Sequence, residues 1–266
     1  MEPVSLDNLS ILYQSADFIV VNKHWDVRID SKMWYEKLTL QSQLKHRFPE
    51  LADPDTYYGF RFCHQLDFST SGALCVALNK AAAGSAYKCF KERMVTKAYL
   101  ALVRGHVQEA KLTIEYAIGK NTTEGMTHMM CIEGTEGRTH QLRVHCSAVG
   151  HPIVGDFTYS LKTDGGPFRM MLHAYYLRIP TAKELVEVSA PDPFVPTLDS
   201  HWMPQQTVHR LDDLIQHLKE KSAWAEGTGS EADGPQNPEA PQEVETPETE
   251  EQGTQCREWL AEWAPE

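Results

Sequence analysis

The composition breaks near residue 222, and that break sets how much of the 266-residue chain can fold. From Ser222 to Glu266 there are 12 acidic side chains and one basic one. The stretch from about Ala223 to Gln255 is mostly Glu, Pro, Gly, Thr and Ser. A segment with so few apolar groups cannot bury enough surface to offset its ordering entropy, so it is expected to be a disordered tail. The last turn, CREWLAEWAPE, sets Trp259, Leu260 and Trp263 at helical spacing; it either docks on the body or on a partner, or frays. Residues 1–221 hold 25 acidic side chains, 24 basic ones and all twelve histidines. The net charge of −12 therefore belongs almost entirely to the tail. It does not argue against a phosphate-bearing partner for the body, where only local clustering of charge matters.

The body reads as α+β. ILYQSADFIVVNK, residues 11–23, is expected to form two short strands around an Asp-containing turn. Helical spacing runs from Leu38 to Arg47, and Pro49 ends it. ALCVAL, 73–78, is a short buried strand, and Asn79 caps an Ala-rich helix that is expected to run to about Met94. TKAYLALVRG, 96–105, alternates as a strand does. Thr139–Val149 is expected to be a helix with Gly150 just past its end. MMLHAYYLRI, 170–179, is a strand, and Val208–Leu218 a helix.

The six cysteines include no Cys-x-x-Cys pair, and reduced thiols in an intracellular protein are the expectation. The N-terminal residues lack a signal-peptide core and the Arg-rich character of a transit peptide, and cytoplasm, nucleus and mitochondrion are not distinguished. No apolar run reaches the length of a membrane span, so no membrane partner is expected.

Three segments carry residues suited to chemistry. In HQLDFSTSG, 64–72, Asp67 precedes a hydroxyl-rich turn. Alone it reads as a turn or cap residue, accepting from nearby backbone N–H groups. Tyr99 lies on the strand TKAY, where a tyrosine commonly packs with its hydroxyl at the rim. GRTHQLRVH, 137–145, crowds Arg138, His140, Arg143 and His145 onto one short helix, with His140 and Arg143 on one face. Alone this is a solvated basic face. Together the three segments can make a nucleophile. An arginine beside a carboxylate in a dry pocket keeps it ionised and fixes its direction, and a tyrosine ring offers a face on which a nucleobase stacks.

HQLDFSTSG, TKAYLALVRGH and GRTHQLRVHCSAVGHPIVGD, in that order, resemble the RluA-type family of RNA pseudouridine synthases. VVNK is similar to the family's opening strand and MMLHAYYLRIP to its closing segment, so the resemblance covers about Ile11 to Phe194. It implies a mixed, mainly antiparallel sheet with flanking helices and a central RNA-binding cleft, making residues 1–221 a catalytic domain. It implies that Asp67 is the nucleophile on a flipped-out uridine, that Arg143 pairs with it, and that Tyr99 stacks on the base and helps remove the carbon 5 proton. His64, Gln65, Arg138 and His140 are then expected to shape the RNA side of the cleft. Lys88, Lys91, Arg93, Lys97 and Arg104 are candidates for phosphate contacts, or form a solvated face. The resemblance implies no metal and no organic cofactor. The partner is RNA, and the family acts on ribosomal, transfer and messenger RNA.

The chain departs from the family pattern in two places. Gln65 stands where the family usually has arginine. The gap before GRTHQ is also short, only about Ala117 to Glu136. MTHMMCIE, 126–133, is expected to supply one strand there, with the family's strand pair missing. These departures keep a second reading open, that of an RNA-binding protein without turnover. A metal hydrolase using His64, Asp67, His140 and His145 matches no familiar zinc spacing. An aspartic protease would need a second Asp-Ser/Thr-Gly turn that the sequence lacks.

Overall fold

The computed structural model describes residues 4–56, 59–120, 129–132, 140–198 and 207–227. Nine strands and four helices lie within these residues, in the order β1 Ser10–Gln14, β2 Phe18–Lys23, α1 Leu40–Arg47, β3 Arg61–Phe62, β4 Ser71–Ala77, α2 Lys80–Lys91, β5 Thr96–Ala101, β6 Ala117–Lys120, β7 Met129–Ile132, α3 Gln141–Ala148, β8 Leu172–Pro180, β9 Leu185–Ser189 and α4 Leu211–Gly227. Seven strands form one sheet along the path β1-β2-β4-β8-β5, with β3 also on β4 and β9 also on β8. The β4–β8 pair is parallel and the other pairs are antiparallel. This is the mixed, mainly antiparallel sheet that the sequence leads one to expect.

The apolar run Phe18–Val21 is continuous because β2 is buried on both faces. Side chains alternate across a strand, so Phe18 and Val20 enter one core, with Ala73, Cys75 and Ala77 of β4 and the Ala82, Ala83 and Ala86 face of α2. Ile19 and Val21 enter the other, with Leu74 and Val76 of β4 and with Leu40 and Leu44 of α1. One helix therefore covers each face. Thr39 starts α1 with a capping box, its hydroxyl accepting from the Ser42 amide. Asn79 caps α2 through the Ala82 amide, as expected.

Several boundaries differ from the sequence reading. Helix α2 stops at Lys91, before Met94, because Arg93 turns left-handed at φ 57° and the Met94 amide donates back to the Cys89 carbonyl. Strand β5 ends at Ala101. Helix α4 begins at Leu211 and runs to Gly227, past the domain end expected at residue 221. The expected tail beyond Gly227, including Trp259, Leu260 and Trp263, lies outside the described residues.

The segment before the third motif needs a correction. It was expected to supply one strand and holds two. β6 and β7 pair antiparallel, from Ala117 opposite Ile132 to Lys120 opposite Met129, as a ribbon separate from the main sheet. The first partner, AIGK, is four residues long and carries too little pattern to be read as a strand without its mate.

Candidate active site

The register across three strands places the chemistry. Gly72 of β4 lies opposite Ala174 of β8, and Ala174 lies opposite Tyr99 of β5. Gly72 has φ +113°, and a Cβ there would sit 2.3 Å from the Ala174 carbonyl oxygen. Glycine at this point is thus what lets β8 approach closely. The turn that carries Asp67 enters β4 just before it, closed by the Thr70 amide donating to the Asp67 carbonyl at 3.0 Å. Asp67 and Tyr99 consequently open onto one cleft from two strands with a single strand between.

Helix α3 brings the counter-charge. Arg143 Nη1 donates to Asp67 Oδ2 at 3.1 Å. Its Nε and Nη2 grip the buried carboxylate of Asp156 at 2.7 and 2.9 Å, and its guanidinium lies 5.0 Å from the Tyr159 ring centroid. Burial works against charge on Arg143, but Asp156 and then Asp67 outweigh it and hold its pKa above the ordinary arginine value. With its Nε/Nη2 edge occupied by Asp156, the guanidinium turns Nη1 toward Asp67. The direction of that contact is therefore fixed.

His140 is the residue before α3 and sits in the left-handed region at φ 56°. Its Nε2 lies 3.7 Å from Asp67 Oδ1, and its Nδ1 is 3.0 Å from the Tyr159 hydroxyl. That hydroxyl also accepts from the Met129 amide at 3.1 Å. The arrangement that satisfies these groups has the hydroxyl proton on Nδ1 and the imidazole proton on Nε2, facing Asp67. Burial lowers the His140 pKa against the opposing pull of Asp67, which favours this neutral ring. His140 at the N-cap and Arg143 in the first turn of α3 thus converge on one carboxylate.

The cleft has a volume of about 530 Å³, within the usual range for a small-molecule pocket. Gln65, Asp67, Lys97, Tyr99, His140 and Arg143 line it. Burial, and secondarily the charge of Asp67, push the Tyr99 phenol up to about 12. At neutral pH it therefore holds its proton, and it can take another only by giving its own away. His64 is not brought to this cleft. Its Nε2 accepts from the Cys75 amide at 3.1 Å, and its ring stacks on Phe90 at 5.3 Å. Burial, with nearby Lys97, drives its pKa down to about 3. Arg138 lies outside the described residues. Of the candidate phosphate contacts, Lys97 lines the cleft, whereas Arg104 is held by both oxygens of Asp164 at 2.8 and 2.5 Å.

A family profile described as RNA pseudouridylate synthase matches residues 17–148, which include Asp67, Tyr99 and Arg143. A zebrafish protein named RNA pseudouridylate synthase domain-containing protein 1 is 60% identical over the full length of both chains. The chain belongs to the RNA pseudouridylate synthase family. The solved structure of Human RNA Pseudouridylate Synthase Domain Containing 1 is 56% identical, covers 82% of this chain and 98% of its own, and superposes with a TM-score of 0.71. The dual-specificity RNA pseudouridine synthase RluA of Escherichia coli is 31% identical over 64% of this chain and 86% of its own. The aligned length of 300 with the zebrafish protein exceeds the 266 residues here, so at least 34 positions of that relative have no counterpart in this chain.

Within this pseudouridine synthase fold, three residues of the site went unassigned in the sequence. Asp156 ends the quoted third motif, and its thirteen-residue distance from Arg143 gives no hint of contact. Tyr159 lies just beyond. Lys23 closes the apolar strand β2, where a lysine is out of place, and that was the available signal. It is 1% exposed, and its ammonium donates to the carbonyls of His24, Val27 and Phe68 at 3.0, 2.8 and 3.0 Å. The last bond ties down the residue next to Asp67. Burial lowers the Lys23 pKa to about 7, opposed by Asp26 and Asp67. Three carbonyl acceptors engage all three ammonium protons, which favours the charged form.

Proposed function

We propose that this chain isomerises uridine to pseudouridine in RNA, with Asp67 as the nucleophile. The observation that carries the reading is the Asp67–Arg143–Asp156 chain at the wall of a cleft that also holds Tyr99. A uridine turned out of its stack fills the cleft and displaces water. In the displaced-water environment Arg143 stabilises the Asp67 carboxylate, and His140 offers an N–H to its other oxygen. Asp67 attacks the nucleoside, and the bond between the base nitrogen and the ribose breaks. The base turns and carbon 5 bonds to the ribose, releasing Asp67. Carbon 5 loses its proton and the freed nitrogen gains one, so the product is an isomer and no co-reactant is consumed. Tyr99 supports the turned base with its ring, and its hydroxyl passes the carbon 5 proton on.

Two features favour a second reading, RNA binding without turnover. Gln65 lines the cleft with an amide where the family usually has arginine, and the chain is shorter than its zebrafish relative. One experiment separates the two readings. RNA carrying uridine tritiated at carbon 5 is incubated with the wild type and with Asp67→Ala. Isomerisation predicts tritium release that falls by at least about 10³-fold in the variant, as for other removed nucleophiles, while the thermal midpoint is kept. Bound RNA with no release from the wild type selects the second reading.

A further inference from the structure

Three of the large apolar side chains that the fold leaves uncovered, Met33, Trp34 and Tyr35, are consecutive in the chain. Trp34 is 87% exposed, the highest value for a large apolar side chain among the described residues, and its neighbours Met33 and Tyr35 are 55% and 62% exposed. A tryptophan standing in water adds nothing to the core, and three adjacent exposed apolar residues mark a contact surface more than a packing accident. Trp34 and Tyr35 meet edge to face at 5.8 Å, presenting two ring planes. Exposed Lys32 and Lys37 flank them.

This loop is tied to the catalytic turn. Glu36 pairs with Arg28 Nε at 2.8 Å, and the Arg28 guanidinium lies 5.2 Å from the ring centroid of Phe68. Phe68, itself 43% exposed, directly follows Asp67. Bridge pairing of Arg28 with Thr39 fixes the loop's base, and the Leu40 amide donates to the Arg28 carbonyl at 2.9 Å. The loop that carries Trp34 and Tyr35 is thus linked through Glu36 and Arg28 to Phe68, the residue after the nucleophile.

Resting on the reading of the cleft as an RNA site, we propose that Trp34 and Tyr35 form a stacking platform for unpaired bases next to the target uridine. Turning a uridine out of its stack leaves its neighbours without a partner face. Exposed rings beside the cleft supply that face for any base sequence, while the lysines meet the intervening phosphates. Two adjacent rings flanked by Lys32 and Lys37, with Glu36 already paired to Arg28, suit a nucleic-acid strand better than an apolar protein surface, which would leave the lysines unpaired. The platform would hold the strand around the extruded nucleotide without touching the reacting atoms.

The test compares wild type, Trp34→Ala/Tyr35→Ala and Trp34→Phe/Tyr35→Phe, using a single-stranded oligoribonucleotide with one tritiated uridine. Both positions are exposed, so the thermal midpoint should not move. The alanine pair should weaken RNA binding roughly 5- to 100-fold for each base that stacks, raise KM, and leave kcat near its wild-type value. The phenylalanine pair should bind almost as the wild type does. An oligonucleotide cut back to the target uridine should bind all three proteins equally. Unchanged affinity of the alanine pair for the long RNA overturns the platform and leaves the surface to a protein partner. A wild type that binds RNA but releases no tritium defeats the isomerase reading alone, and the platform is then judged by affinity. A wild type that binds no RNA defeats both.

Discussion

The surroundings of Asp67 and the β6–β7 ribbon border the same helix α3 but are built in opposite ways. The Asp67 turn feeds a strand whose seven residues are all buried, between two helices and paired with three strands, β2, β3 and β8. It is held through backbone register, the Lys23 ammonium and the Arg143–Asp156 clamp. The ribbon is four residues long on each side, lies off the main sheet, and rests on a small cluster of Ile118, Val144 and Tyr159 with Met129. A group whose charge must be aimed needs a scaffold that many contacts determine at once. The ribbon touches the chemistry at one remove, through the Met129 amide, Tyr159 and His140. It can support the site without being as stable as the site.

The sharpest way to break this comparison is Gly72→Ala. The new Cβ meets the Ala174 backbone, and the positive φ strains it further, so unfolding free energy should fall by roughly 2–5 kcal/mol. Gly150→Ala is the control. It shares a positive φ, at +84°, but has nothing within 4 Å, so it should cost about 1 kcal/mol, the left-handed strain alone. Urea unfolding measures both, and equal losses would mean that the close approach of β4 and β8 is unimportant.

Ile118→Ala probes the other region. Full core burial would cost about 2–5 kcal/mol, and the small cluster puts this site near the lower end. Hydrogen exchange should quicken in β6, β7 and the first turn of α3 while β4 and β8 keep their protection. Equal quickening in both sheets would show that the ribbon and the main sheet unfold as one unit.

The smallest effect is pH-dependent and arises in the main core. His64 is half-buried and His173 buried, both as neutral rings, with pKa values lowered to about 3 and about 4, chiefly by loss of solvent. In the unfolded chain they bind protons near pH 6.5, so the unfolded state gains protons first as pH falls. Stability is full above about pH 6.5 and is lost progressively toward pH 4. Each ring should account for about 1–2 kcal/mol by pH 5, on the usual linkage slope. Urea midpoints at pH 7 and pH 5 should differ less in His173→Gln than in the wild type.

Much of the fold was legible because it is written in local chemistry. The doubly buried run Phe18–Val21, the Asn79 cap and the Ala-rich face of α2 each follow from neighbours in sequence. The His140–Arg143 pair was legible as neighbours, although His140 stands at the left-handed N-cap of α3 and not on the helix itself. Strand β6 was not, because four residues gain an identity only from the partner across the ribbon. His64 was read with its motif toward the cleft, yet the pairing of β3 with β4 sets it beside Cys75, whose amide donates to its ring.

By itself the sequence determined the α+β class, the order of the elements with a clear pattern and the set of residues able to do chemistry, because periodicity, capping and motif order are properties of the chain. Only the tertiary structure decided that Gly72, Ala174 and Tyr99 share one register, that Asp156 fixes Arg143, and that Lys23 anchors the turn after Asp67. These are contacts between residues 13 to more than 100 positions apart. They exist because burying charges in a core demands partners from wherever the folded chain can supply them.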